Sequence, residues 1–348
     1  MGENQRPHLG LVCLSFTEEC RFRTTTLSRF RTLPPDEQRR TLESIYWDNV
    51  NRLNRTLSFC DRRDIRLYRI SSSLFPMSDE PVGEQTLRSL AAGLSAVGRR
   101  AQRLGIRLVI HPDQFCVLNS ESARVVDTSI KILDKHALAF DLIGLPHTPW
   151  APMILHGGKA GRAAELVETI QKRLPPNVRG RLCLENDEYA FGTTEILDVC
   201  RRTGVPMVFD CHHHVIKEGL DSYDHPSVAE FTERAASTWP DRSWQLCHVS
   251  NGDAAFLDRY HSQHVTMLPR AFDRVPWLEV EARGKELAIA AMREQWPDRA
   301  EAPDGLPLRK PTAQEKRDAR TDEGVQIDDE PTPTVKPRKG AANRAPKA

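Results

Sequence analysis

The chain has 348 residues, 39% hydrophobic and 28% charged, a balance that suits a globular protein with a sizeable core and excludes a disordered or fibrous one. A formal net charge of +1 excludes a uniformly basic nucleic-acid-binding domain, and no apolar run reaches the roughly 18–20 residues of a membrane span. The N-terminus lacks the basic-then-apolar layout of a secretory signal, and the eight cysteines include no C-x-x-C pair. Reduced thiols in a cytoplasmic protein (nucleoid-associated if bacterial) are therefore expected, without a structural zinc knuckle.

From residue 8 to about 298, short apolar runs alternate with longer segments of helical spacing. HLGLVCLSF (8–16) reads as the first strand, and RFRTTTLSRFR (21–31) after it carries Arg21, Arg23, Arg29 and Arg31 with no acid. IRLYRIS (65–71) is the second strand. GRRAQRLGIR (98–107) brings four more arginines and runs into the third, IRLVIHP (106–112). Each basic run reads first as a solvated face and gains weight only if the chemistry involves phosphate. Val126, Ile130, Leu133, Ala137 and Phe140 step by four and three, a helical stripe ahead of the fourth strand, PMILHGG (152–158). RLCLEND (181–187) is the fifth strand. TTEILDVCRR then makes a helix with Gly204 as its C-cap, before PMVFDCH (206–212), WQLCHVS (244–250) and WLEVEAR (277–283).

Eight near-continuous apolar strands, each followed by a helical segment, predict a (β/α)8 TIM barrel in one domain over residues 1–300. An open doubly wound sheet is the competitor. It would gather its ligands at one crevice, and the chain has no glycine-rich nucleotide loop, so no nucleotide cofactor is expected. Residues 301–348 are charged, rich in proline and without aromatics toward the end, and are expected to be a disordered tail.

Six of the eight strands end in a residue that can ligate metal: His111, His156, Glu185, Asp210, His248 and Glu281. The turns beyond add His213 and His261. In a parallel barrel all strand C-termini open onto one face, so these residues converge. Burying so many carboxylates and imidazoles without a cation would cost several kcal/mol for each unpaired charge, and divalent ions remove that cost. Eight ligands accommodate two or three ions. His212 and His214 flank His213, and in an extended stretch they would point away from it, His214 behind the ligands and His212 in packing. Such a site suits phosphoryl displacement between two cations, aldose isomerisation or amide hydrolysis, and the fold alone does not choose.

The motifs HPDQFCVLNS (111–120), ILHGGK (154–159), LENDE (184–188), VFDCHHH (208–214), HSQHV (261–265) and EARGKE (281–286), with YRISSSLFP (68–76) before them, resemble the UV damage endonuclease family in order and spacing. A more distant likeness is to endonuclease IV. The resemblance covers roughly residues 8–290 and implies a metal-dependent DNA repair nuclease, typically supported by manganese, with zinc or magnesium as alternatives. It would cut duplex DNA immediately 5′ to a UV photoproduct, leaving a 3′-hydroxyl and a 5′-phosphate. The implied metal ligands are His111, His156, Glu185, Asp210, His213, His248, His261 and Glu281, the set found from strand ends and turns. Glu185, Asp210 and Glu281 are expected to be catalytic with Lys285, a phosphate contact. Gln114 and Phe115 match a pair that wedges into the duplex at the lesion. Arg21, Arg23, Arg29 and Arg31 become candidate backbone contacts.

Three departures from the family pattern stand out. Where some members have a histidine ligand after the second strand, this chain reads PMSDE, leaving Asp79, Glu80 or nothing in its place. Leu246 stands where some members have a lysine, and GLVCLSF lacks their tyrosine and asparagine. The expected working form is a monomer acting on damaged double-stranded DNA. A sugar isomerase or epimerase on the same barrel, or a lesion-binding barrel without turnover, are the rival readings.

Overall fold

Each predicted apolar run forms a strand in the computed structural model, which describes residues 6–17, 19–112 and 115–298. The strands are β1 (His8–Val12), β2 (Leu67–Ile70), β3 (Arg107–Ile110), β4 (Met153–His156), β5 (Leu182–Glu185), β6 (Met207–Asp210), β7 (Leu246–Val249) and β8 (Trp277–Val280). All pair in parallel and in sequence order, and β8 returns to β1, so the sheet is a closed (β/α)8 barrel. The strands are shorter than the apolar runs that predicted them. The runs continue into loops that fold over the barrel mouth and are themselves buried, as at Asn186 and Ser250, and β1 is cut short where Cys13 adopts φ 61°.

Helices pack outside the ring. The 126–140 stripe lies on Ala123–Ile143, with Val126, Leu133, Ala137 and Phe140 buried, and Gly144 in the left-handed region ends it. Each fully buried Leu or Phe of this kind contributes about 1.5–3 kcal/mol. Gly204 ends Thr193–Thr203 in the same way, as the sequence predicted. The eight cysteines form no disulfide. Among the described residues no helix is long and apolar enough to cross a membrane. The boundary at residue 300 and the tail over 301–348 lie outside the described residues.

Alternation along the strands fills the barrel in layers. At the N-terminal end Arg107 donates to the carbonyls of Pro149, Trp150 and Trp244 and lies 4.7 Å from the Trp150 ring, sealing the bottom. Above it, Leu67, Val109, Ile154, Cys183, Val208 and Leu246 form a dry layer. Two residues further along each strand the polar layer begins. Leu246 therefore sits beneath the polar layer, where a lysine would have had to reach upward. The register pairs His156 with Glu185 and Asp210 with His248, which sets these groups at one height.

Candidate metal centre

Glu185 is the hub of the polar layer. Its two carboxylate oxygens lie 3.0 Å from His111 Nε2, 2.9 Å from His248 Nδ1, 3.7 Å from His213 Nδ1 and 3.9 Å from His156 Nε2. Burial alone would raise its pKa, but His248 and His156, with hydrogen bonds from His111 and His248, hold the carboxyl well below the usual range. Three groups offer ligand atoms within 4.8 Å of one another: His111, His156 and Glu185; Glu185, Asp210 and His213; Asp210, His248 and Glu281. Glu185 and Asp210 each belong to two groups, the arrangement that bridging carboxylates require.

The donor set fits divalent cations. Asp210 Oδ2 and His156 Nδ1 are buried polar atoms without a hydrogen-bond partner in a layer where an unmet polar group is costly. The imidazoles are oriented by the chain. The Nδ1 atoms of His111, His213 and His261 lie 3.0, 2.9 and 2.7 Å from the carbonyls of Pro112, Asn186 and Glu281. A proton on Nδ1 in each bond leaves Nε2 as the lone-pair atom, the usual way a metal-binding histidine is fixed. His261 belongs to none of the three groups but closes the ring beside Glu281 (Nδ1–Oε2 3.9 Å) and His213 (ring centroids 6.4 Å). Seven of the eight sequence-predicted ligands thus fall in these overlapping groups, and His261 borders them. His248 and Glu185 lie at the buried base of the site, and the His156 side chain, 33% exposed, lies at its mouth.

Of the three consecutive histidines only His213 faces the ring. The extended geometry expected for 210–214 is corrected: a helix, Cys211–Glu218, begins directly after Asp210, which caps it by accepting from the His213 N–H. His212 uses both ring nitrogens, toward Tyr223 Oη at 2.6 Å and the Asp258 carbonyl at 2.9 Å. His214 lies between Thr193 and Ser227 hydroxyls, and burial pulls its pKa down to about 4, so it is a neutral clamp between helices.

Sequence reading missed several partners. Glu279, fully buried and two residues before Glu281 on the same face of β8, has Oε2 2.5 Å from His248 Nε2, which turns Nδ1 toward Glu185 and Glu281. Arg69 of β2 pairs with both Glu279 and Glu281. Asn186 accepts from the Asp210 N–H and donates to its carbonyl. Glu188 lies 3.6 Å from His213 Nε2. Asp79 and Glu80 belong to none of the three groups, and Glu80 pairs instead with Arg31.

Around the mouth, Phe115 is 74% exposed; Gln114 lies outside the described residues. Phe16, Tyr189 and Tyr260 are also exposed, on the loops after β1, β5 and β7. Buried Glu286 fixes the first of these loops by accepting from the Phe16 and Thr17 N–H groups. Arg259 lies 4.5 Å from the Tyr189 ring centroid. Arg21, Arg23, Arg29 and Arg31 are all exposed in the segment after β1, with Arg23 3.7 Å from Asp48. The second basic run faces elsewhere: Arg100 bonds Ser58 on the barrel flank and Arg107 is the buried plug. Lys285, four residues after Glu281 in the chain, holds φ 52° and forms no ion pair among the described residues.

The site's order along the chain matches one known family. A family model described as UV-endonuclease UvdE matches residues 7–301. The chain belongs to this family. It is 49% identical over 296 residues to a UV DNA damage endonuclease of Nostoc sp., covering 84% of this chain and 92% of that relative. To a UV DNA damage endonuclease of Deinococcus radiodurans it is 48% identical over 290 residues, 82% of this chain and 95% of that one. The solved structure of SacUVDE shares the barrel with a TM-score of 0.69 at 24% identity, covering 83% of this chain and 99% of that one. That likeness speaks for the fold. The predicted family is therefore borne out, and the UvdE match spans every strand and every residue of the ring.

Proposed function

We propose that the chain is a divalent-metal-dependent DNA endonuclease that nicks duplex DNA immediately 5′ to UV photoproducts, leaving a 3′-hydroxyl and a 5′-phosphate. The observation that carries this reading is the overlap of three ligand groups through Glu185 and Asp210, because carboxylates shared in this way can hold neighbouring divalent ions close enough to act on one phosphate. His111, His156, Glu185, Asp210, His213, His248, His261 and Glu281 would hold two or three ions, with manganese as the working metal. Bound there, the ions supply activation of the attacking water and stabilisation of the entering and leaving oxygens.

The chain's own residues supply the rest. Glu185, Asp210 and Glu281 fix the geometry of the reacting end, and Lys285 offers an uncommitted ammonium to the phosphate. Gln114 and Phe115 fill the gap at a step weakened by damage, so selectivity follows how easily the step opens rather than its sequence. Exposed Phe115 suits this role because an aromatic held out in water is ready to stack on a base. Arg21, Arg23, Arg29 and Arg31 contact backbone phosphates and set register.

The test is a duplex oligonucleotide with one photoproduct, labelled at either end. A single cut directly 5′ to the lesion, with a ligatable 3′-hydroxyl and 5′-phosphate on the product ends, is the expected outcome. Cuts scattered along the strand, or turnover of free ketoses with no cutting, would overturn it in favour of another chemistry on the same ring.

A further inference from the structure

Four of the five exposed aromatic rings among the described residues stand on loops at the barrel mouth: Phe16, Phe115, Tyr189 and Tyr260, after β1, β3, β5 and β7. The fifth, Trp47, is on the outer helix Pro35–Asp61. A single exposed ring is ordinary on a protein surface, but four gathered on one rim mark a contact surface. The proposed function gives a task to Phe115 alone.

Tyr189 has the most informative surroundings. Its ring is 63% exposed although the backbone beneath it is fixed. Buried Asp187 accepts from the N–H groups of Tyr189, Ala190 and Phe191, which locks the turn. Lys217 Nζ donates to the Tyr189 carbonyl at 2.9 Å. From the loop after β7, the Arg259 guanidinium carbon lies 4.5 Å from the ring centroid, within cation–π range. That loop is pinned as well: Asp258 accepts from the Ala254 and Tyr260 N–H groups, and the Asp253 N–H donates to the Tyr260 carbonyl. A ring held out in water on a rigid turn has already lost its backbone freedom, so contact with a ligand costs little further ordering.

We propose that Tyr189 and Arg259 form a stacking platform for one nucleobase of the substrate DNA, unstacked beside the cut. The inference rests on the endonuclease reading and adds a second recognition element to it. The platform borders the metal centre, because Glu188, the residue before Tyr189, lies 3.6 Å from His213 Nε2, and Arg259 is two residues before His261. In the closed ring β7 stands opposite β3, so a duplex laid over the centre meets Phe115 on one rim and Arg259 on the other. Arg259 and Lys217 bring two positive charges to the ring. The four carboxylates of the same two loops are committed elsewhere: Asp187 and Asp258 to backbone N–H groups, Asp253 to Arg283, and Glu188 against His213. An aromatic face flanked by uncompensated cations suits a base that arrives with its phosphate. Every base has such a face, so the platform grips without reading sequence.

The test is binding of the full chain to a duplex with one photoproduct, in calcium chloride to hold off cutting, beside urea denaturation. Tyr189→Ala and Tyr189→Leu should each bind about 10-fold or more weakly than the wild type. Tyr189→Phe should bind as tightly as the wild type, because the contact needs an aromatic face and neither apolar bulk nor the hydroxyl. Arg259→Ala should also weaken binding, and its effect combined with Tyr189→Ala should fall short of the sum of the two. All four single variants should keep the wild-type urea midpoint, since both side chains are exposed. Wild-type binding by Tyr189→Ala, recovery by leucine, a lowered urea midpoint that assigns the ring to packing, or full additivity would each overturn the platform and leave the endonuclease reading intact. A wild type with no preference for the photoproduct duplex would overturn both.

Discussion

Asp210 and His213 are tied by a 2.9 Å hydrogen bond from the His213 N–H to Asp210 Oδ1, so one carboxylate both caps the helix that carries the histidine and shares a ligand group with it. Oδ2 of the same carboxylate is buried without a hydrogen-bond partner. The two oxygens have separable duties. Asp210→Ser keeps a good cap but removes the ligand, whereas Asp210→Ala removes both. Thermal melts should place the serine variant about 1 kcal/mol above the alanine variant. Both should lose nicking by at least about 100-fold, since even indirect partners of a metal ligand are worth 10–100-fold. Serine and alanine variants of equal stability would refute the cap.

The neighbouring histidines should behave in opposite ways. His213→Ala is expected to lower manganese content and abolish cutting with little change in stability. His212→Ala should keep its manganese but lose about 1–3 kcal/mol, because a buried ring that bonds both the Tyr223 hydroxyl and the Asp258 carbonyl is removed. Metal analysis beside urea denaturation separates the two. A His212 variant without metal would contradict its assignment to packing.

Phe115→Ala should act on recognition. Stacking on a base is worth about 1–3 kcal/mol, so the preference for irradiated over untreated duplex should fall roughly 10-fold or more, with manganese content unchanged. Competition binding in the presence of calcium, with both duplexes, measures it. An unchanged ratio would remove Phe115 from the lesion contact.

Gly158, in the loop after β4, holds φ +81°, and a Cβ there would meet Asn119 Oδ1 at 2.4 Å. Asn119 binds the backbone of Lys159 and Arg162, so it cannot yield without releasing that loop. Gly158→Ala should cost more than about 1 kcal/mol in urea denaturation. Wild-type stability would show that the loop is not held as described.

The sequence made the barrel and the ring legible for one physical reason. Parallel strands gather their C-termini on one face, so a His, Asp or Glu at the end of an apolar run announces its own position. The same alternation placed Glu279 on the face of Glu281, yet it read as part of a strand because nothing in W-L-E-V-E names its partner. Arg69 was hidden in the same way inside IRLYRIS, since its meaning depends on two carboxylates more than two hundred residues away. His212 and His214 were assigned an extended backbone because the cap by Asp210 that starts the helix is a local hydrogen bond, invisible in an apolar pattern. The second basic run looked like the first by composition. Only packing separates Arg107, buried beneath the ring, from the exposed arginines after β1.

The most direct test of the central claim is a nicking assay on UV-irradiated and untreated supercoiled plasmid, with manganese, with EDTA, and with a Glu185→Gln variant in parallel. The account predicts relaxation only for the wild type on irradiated plasmid with manganese. Cutting that persists in EDTA, or a Glu185→Gln variant that nicks at the wild-type rate, would contradict it.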